Sequence, residues 1–197
     1  APWQEVQLLD GLADRVLDGS ISEIGVSNIG PKRLAWMQQR LAERGVPLRS
    51  VQVQYSLLSP GDAKVDALRQ LCCERGIEVL AYSPLAFGVL TMPPDGERRP
   101  RTVLQRQLLA RLQPASRSLR AVVAAIACQR SVSMAQVALN WCRAQGTTPI
   151  PGLRTPEQAR DVAGALQWSL TSAELDQLTV ARQQCTVRTP SNPFQSA

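Results

Sequence analysis

Four short apolar runs, separated by helical patterns, constrain this chain more than any other feature. They are Glu23-Ile24-Gly25-Val26, Val51-Gln52-Val53-Gln54, Ile77 to Ala81 and Thr148 to Pro151. Each reads as a buried strand, and consecutive parallel strands need a helix-length crossover between them. The crossovers are legible. From Trp3 to Leu17 the residues Val6, Leu9, Leu12, Ala13, Val16 and Leu17 recur at helical spacing until Asp18-Gly19-Ser20. A second helix opens at Pro31, carries Leu34, Met37 and Leu41 on one side and runs out before Gly45. A third spans Val65 to Arg75 and is closed by Gly76.

Met92 to Pro100 is irregular, rich in proline and arginine. Helical pattern resumes from Leu119 to Gln129 and from Met134 to Arg143, the latter behind a Ser133-x-x-Gln136 capping box and stopped by Gly146. Thr155 caps a helix with Gln158 completing a box, Thr171-x-x-Glu174 opens the last helix, and a polar tail ends Ser191-Asn192-Pro193-Phe194. The expected fold is therefore α/β, with four parallel βα units plus extra helices. A closed (β/α)8 barrel takes eight strands and about 250 residues. A chain of 197 residues with four units has the dimensions of half such a barrel, one partial domain over 1–197.

A net charge of +6 suits an anionic ligand, phosphate above all. The densest basic stretch, Arg98 to Arg111, lacks interleaved aromatics, so a solvated face is expected there and nucleic acid is not an expected partner. The cysteines Cys72, Cys73, Cys128, Cys142 and Cys185 form no CxxC pair and the chain has no histidine. That reads as a reducing compartment without a zinc site. No apolar run reaches the length of a membrane span and no signal peptide opens the sequence; a cytoplasmic protein is expected, with a plastid as the open alternative. Cys72-Cys73 and the tryptophans Trp3, Trp36, Trp141 and Trp168 are expected to pack. With no histidine and only Tyr55 and Tyr82 as tyrosines, general acid–base chemistry near neutral pH has few candidates.

In a barrel of this kind, function gathers where the loops leave the C-terminal strand ends. Here those are Ser27-Asn28, Gln54-Tyr55, Tyr82-Ser83-Pro84-Leu85 and Gly152-Leu153-Arg154-Thr155. Small polar and amide groups suit hydrogen bonding to a carboxamide or phosphate better than covalent catalysis. Taken singly, Ser27-Asn28 reads as the cap before the helix at Pro31, and Tyr82 and Gln54 as ordinary core and loop-end residues.

Taken together, Gly25-Val26-Ser27-Asn28, Gln54-Tyr55-Ser56, Tyr82-Ser83-Pro84-Leu85-Ala86-x-Gly88-x-Leu90-Thr91, Ile150-Pro151-Gly152 and Glu157-Gln158 through Gly164-Ala165-Leu166 follow the order and spacing of a known family. The chain resembles the C-terminal half of the aldo-keto reductases, nearest the branch of potassium-channel β-subunits and plastid and cyanobacterial reductases. The resemblance implies NADP(H). Ser27, Asn28 and Gln54 match residues that hold the nicotinamide carboxamide, and Tyr82 matches the aromatic on which the ring stacks. Ser83, Pro84, Leu85 and Gly88 match the loop beside the pyrophosphate. Gly152, Arg154, Gln158 and Asp161 match the clasp at the adenosine end, Arg154 facing the 2′-phosphate.

Two departures stand out. The family continues as LTGK where this chain has Thr91-Met92-Pro93, so Arg98, Arg99 or Arg101 would have to supply the lysine's charge. The family's Glu-Asn pair reads Asp161-Val162. The family's catalytic aspartate, tyrosine, lysine and histidine come from the first four strands, so no catalytic residue is assigned here. The resemblance thus implies an NADP(H)-dependent reductase of a small carbonyl compound, represented by its cofactor-binding half. A non-catalytic nucleotide-binding or regulatory module, or a degenerate product, stands as the alternative. Two unpaired strand edges imply a homo-oligomer or an N-terminal half-barrel as partner.

Overall fold

The computed structural model describes residues 2–60, 63–96 and 102–190. Its elements are α1 (Pro2–Leu17), β1 (Ile24–Ser27), α2 (Pro31–Ala42), β2 (Leu48–Gln54), α3 (Ala63–Arg75), β3 (Glu78–Tyr82), α4 (Val103–Ala115), α5 (Arg117–Arg130), α6 (Met134–Ala144), β4 (Thr148–Ile150), α7 (Pro156–Ala163) and α8 (Ser172–Gln184). Short 3-10 turns cover Ala86–Thr91 and Gly164–Gln167. The four strands are parallel, in the order β1-β2-β3-β4, with helices between them: a half barrel.

The described residues form two compact units, one of 2–53 with 63–80 and one of 54–60 with 81–190. In the first unit, β1 pairs with β2 in the register Gly25↔Ser50, Val26↔Val51 and Ser27↔Gln52, after an irregularity between Ile24 and Gly25. The glycine is required by that pairing, since a Cβ at position 25 would come within 2.4 Å of Ser50 Oγ. Leu34, Met37 and Leu41 of α2 and Val65, Leu68 and Cys72 of α3 are buried, as their helical spacing demands. Arginines of α2 clasp acids of α1: Arg40 meets Asp10 at 2.8 Å, and Arg33 pairs with Glu5. The Arg40 hydrogen bond holds the Asp10 carboxyl below the usual carboxylate range.

In the second unit the apolar faces of α5, α6 and α8 make the core, with Leu119, Val123, Ile126, Val137 and Leu178 fully covered. Tyr55 stacks on Trp141 at 5.4 Å between ring centroids. Strand β4 contains Pro149, which has no N–H to give, as befits the last strand of a sheet. No single helix among the described residues is long and apolar enough to cross a membrane; only α5 and α6 taken together would qualify, and they are bent by 102°.

Several expectations are corrected. Helix α4 was not anticipated, because among its described side chains Leu109 and Leu112 are the fully buried apolar ones. Trp36 is 39% exposed rather than packed, and Cys73 is exposed beside the buried Cys72. Ser133 accepts from Gln136 N at 3.2 Å, but Gln136 does not return to Ser133. Thr155 likewise accepts from Gln158 N, while Gln158 Oε1 takes the N–H of Arg154 at 2.8 Å, one residue before the cap. Of the three boxes, only Thr171 with Glu174 is reciprocal. Residues 191–197, with the polar tail, lie outside the described residues.

Candidate functional site

Strands β1 and β3 are each followed by a left-handed residue, Asn28 and Ser83. In the first unit, Asn28 takes a left-handed conformation (φ 57°) directly after β1, and its N–H donates to Gln52 O at 2.9 Å. Asparagine tolerates that conformation better than most residues. The Ser27 hydroxyl donates to the same carbonyl at 3.3 Å. Neither caps α2, whose N-cap is Gly30 without a side-chain bond, so the bland reading of this pair does not hold.

In the second unit, Gln54 carries a buried Nε2 with no hydrogen-bond partner among the described residues. Leaving an amide N–H₂ buried and unpaired costs about 1–3 kcal/mol. Tyr82 ends β3 half-buried, its carbonyl accepting from Tyr55 N at 3.2 Å. The chain then leaves the strand through Ser83 (φ 53°) and, soon after, through three consecutive left-handed residues, Ala86 (φ 48°), Phe87 (φ 60°) and Gly88 (φ 83°). Glycine adopts this region freely, whereas the others are strained by about 1 kcal/mol or more each. The turn is held by Ala86 N to Ser83 O and Gly88 N to Leu85 O, both 2.9 Å, by the Thr91 hydroxyl on Gly88 O, and by burial of Ala86, Val89 and Leu90.

This loop and the loop after β4 enclose a cleft of about 590 Å³. Ser83, Pro84, Leu85, Gly88, Gly152, Arg154, Gln158 and Asp161 all line it. Phe87, Thr91, Leu153 and Val162 line it too. Phe87 sits at the unspecified position of the Leu85-to-Thr91 motif, so nothing in the pattern singled it out. Ser27, Asn28, Gln54 and Tyr82 are not among the lining residues: the cleft begins at Ser83, where the backbone turns out of β3.

The cleft offers a guanidinium, a carboxylate and a side-chain amide to whatever enters it. Arg154 is its cation and Asp161 its anion, and Thr155 caps α7 beside them. Glu157 in the first turn of α7 is held below the usual carboxylate range by its own N–H and by Thr155. A Cβ added to Gly152 would meet no atom within 4 Å, so the space beside it is open for a ligand. Arg98, Arg99 and Arg101, considered for the missing lysine's charge, lie outside the described residues. At the positions that follow Thr91, the Met92 side chain is buried, and the carbonyls of Met92, Pro93 and Gly96 accept from the buried guanidinium of Arg120. Among the described residues no three metal-ligating side chains converge.

Residues 3–182 match the aldo/keto reductase family. The chain belongs to that family. It is 41% identical over its whole length to a chloroplastic pyridoxal reductase of Arabidopsis thaliana, of which it covers 53%. It is 33% identical over 88% of its length to an uncharacterized oxidoreductase of Mycobacterium tuberculosis, again covering 53%. The chain thus spans about half the length of the curated relatives it matches. Among solved structures, a thermostable aldo-keto reductase crystallised with the inhibitor epalrestat superposes with a TM-score of 0.66 at 24% identity, over 89% of this chain and 54% of that one. The holo form of an aldo-keto reductase from Bacillus halodurans gives 0.63 at 19% identity, over 95% and 57%. At these identities the structures speak to the fold, and they agree with a half barrel.

Proposed function

We propose that this chain supplies the NADP(H)-binding half of an aldo-keto reductase that transfers hydride to a small carbonyl compound. The observation that carries the reading is the cleft, in which Arg154 and the capped start of α7 face the left-handed loop Ser83–Gly88. Family membership makes a nicotinamide cofactor the natural occupant. The cleft residues fit one: Gly152 leaves open space, and Arg154 is a cation suited to a 2′-phosphate. In this reading Ser27, Asn28 and Gln54 orient the carboxamide, and Tyr82 takes the flat face of the nicotinamide. Ser83, Pro84, Leu85 and Gly88 follow the pyrophosphate. Gly152, Arg154, Gln158 and Asp161 hold the adenosine end. The cofactor, when bound, supplies the hydride.

The proton has no donor in view. The chain has no histidine, and its lysines, Lys32 and Lys64, lie on α2 and α3. We therefore assign no catalytic residue, and catalysis depends on a complementary half barrel, whether from an N-terminal segment or from a partner chain. A second reading is a nucleotide-binding module without turnover. Pyridoxal, named in the Arabidopsis relative, is the first aldehyde to try. None of the five cysteines is in a disulfide; the location we propose is the cytoplasm, with a plastid, suggested by the chloroplastic relative, as the alternative.

Fluorescence titration with NADPH and NADH tests the binding reading. Tighter binding of NADPH, with the preference reduced about tenfold in Arg154→Gln, is expected; absence of binding to either, or an unchanged preference in the variant, would sink it. Oxidation of NADPH by the 197 residues alone in the presence of pyridoxal should stay at background, and clear turnover would remove the need for a second half.

A further inference from the structure

Gln136, in the first turn of α6, stands directly behind the cleft. Its Nε2 donates to Asp161 Oδ1 at 2.9 Å, and its Oε1 accepts from Trp168 Nε1 at 3.1 Å. A carboxylate can only accept and an indole N–H can only donate, so the amide has a single orientation that satisfies both. Gly164 makes room for it, because a Cβ there would lie 2.7 Å from Gln136 Nε2. Trp168 is held in turn by the Arg130 guanidinium, 4.9 Å above its ring, and Arg130 is ion-paired with Glu174. The amide is thus braced from α5, α7 and α8 and from the turn at Gly164.

Asp161 lines the cleft, and the bond from Gln136 is its hydrogen bond among the described residues. One oxygen is engaged and the other is left to accept from something else. We propose that Gln136 is a positioning residue: by occupying Oδ1 it turns Asp161 so that Oδ2 accepts an N–H of the bound nucleotide, the exocyclic amine of its adenine. This rests on the nucleotide reading above.

The test replaces Gln136 in the full-length protein. Gln136→Glu keeps an acceptor for Trp168 but sets a second carboxylate against Asp161. At pH 8 NADPH should bind about tenfold more weakly than to the wild type. As the pH falls toward 5 the two carboxylates share a proton, which replaces the lost N–H, and affinity should recover. The charged groups around the pair are Arg154, which lines the cleft with Asp161, Arg143 of α6 on the Trp168 carbonyl, Arg130 from α5 across Trp168, and Glu174 beyond it; the wild type measured over the same range removes their contribution and the ligand's. A merely structural role would produce no such recovery. Should Gln136→Glu lose its fold, Gln136→Asn, shorter and uncharged, is expected to show a similar loss without pH dependence. Full affinity in the folded variant at pH 8, or a loss in Gln136→Glu that ignores pH, overturns the positioning role and leaves the nucleotide reading standing. A wild type that binds no NADPH removes both.

Discussion

Glu174 offers a prediction whose size and pH dependence both follow from the structure. Its carboxylate takes the N–H of Thr171 at 2.7 Å and the Thr171 hydroxyl at 2.9 Å, and it faces Arg130 Nη2 at 2.7 Å. The Arg130 hydrogen bond, aided by Thr171, holds its pKa at about 2 instead of 4.5. At about 1.4 kcal/mol per pH unit, that gap corresponds to roughly 3 kcal/mol of folded-state stabilisation. The Arg130 side chain is 29% exposed, so water screens the pair, and we expect about half, ~1.5 kcal/mol, to remain. Because the folded-state pKa is lowered, the contribution is complete above pH 4.5 and is lost as the pH falls from there toward 2. Glu174→Gln preserves the cap's acceptor oxygen and removes the charge. Urea unfolding of both proteins from pH 7 to pH 2.5 should give a difference of ~1.5 kcal/mol at neutrality that shrinks below pH 4.5. A difference that is the same at pH 3 as at pH 7, or that is absent at pH 7, would refute the assignment of this stabilisation to the ion pair.

Two further outcomes are expected. Gly152→Val should leave the unfolding midpoint within about 0.5 kcal/mol of wild type, because its Cβ meets open space, yet abolish NADPH binding measured by fluorescence; a variant that binds normally would show that the nucleotide does not pass Gly152. Arg120→Met should cost about 2–4 kcal/mol in urea, since a 2% exposed guanidinium that donates to Met92 O, Pro93 O, Gly96 O and Gln113 O is removed while four carbonyls stay behind; a change under 0.5 kcal/mol would mean that solvent already satisfies those carbonyls.

Much of this protein was legible in its sequence, because strands and helices announce themselves through local spacing. The buried stripe of α2, the caps Thr171 and Ser133, and the four strands with their helical crossovers follow from hydrophobic period and cap chemistry, which depend on neighbours a few residues away. The barrel rule points to the strand ends, and Ser83, Pro84, Leu85, Gly152, Leu153 and Arg154, read there, line the cleft; Gly88, Gln158 and Asp161, which line it too, were named through the family resemblance. What local spacing cannot carry is the partner of a polar side chain far along the chain. Gln136 looked like the far half of a capping box, yet Asp161 and Trp168, 25 and 32 residues away, claim its amide. Arg120 is buried against carbonyls of two other segments, which no local spacing marks. The left-handed run Ala86-Phe87-Gly88 includes two residues that disfavour that conformation. The burial of Ala86, Val89 and Leu90, the bonds to Ser83 and Leu85 and the Thr91 hydroxyl on Gly88 O hold it there, so the shape of the cleft wall was decided by packing overriding local preference.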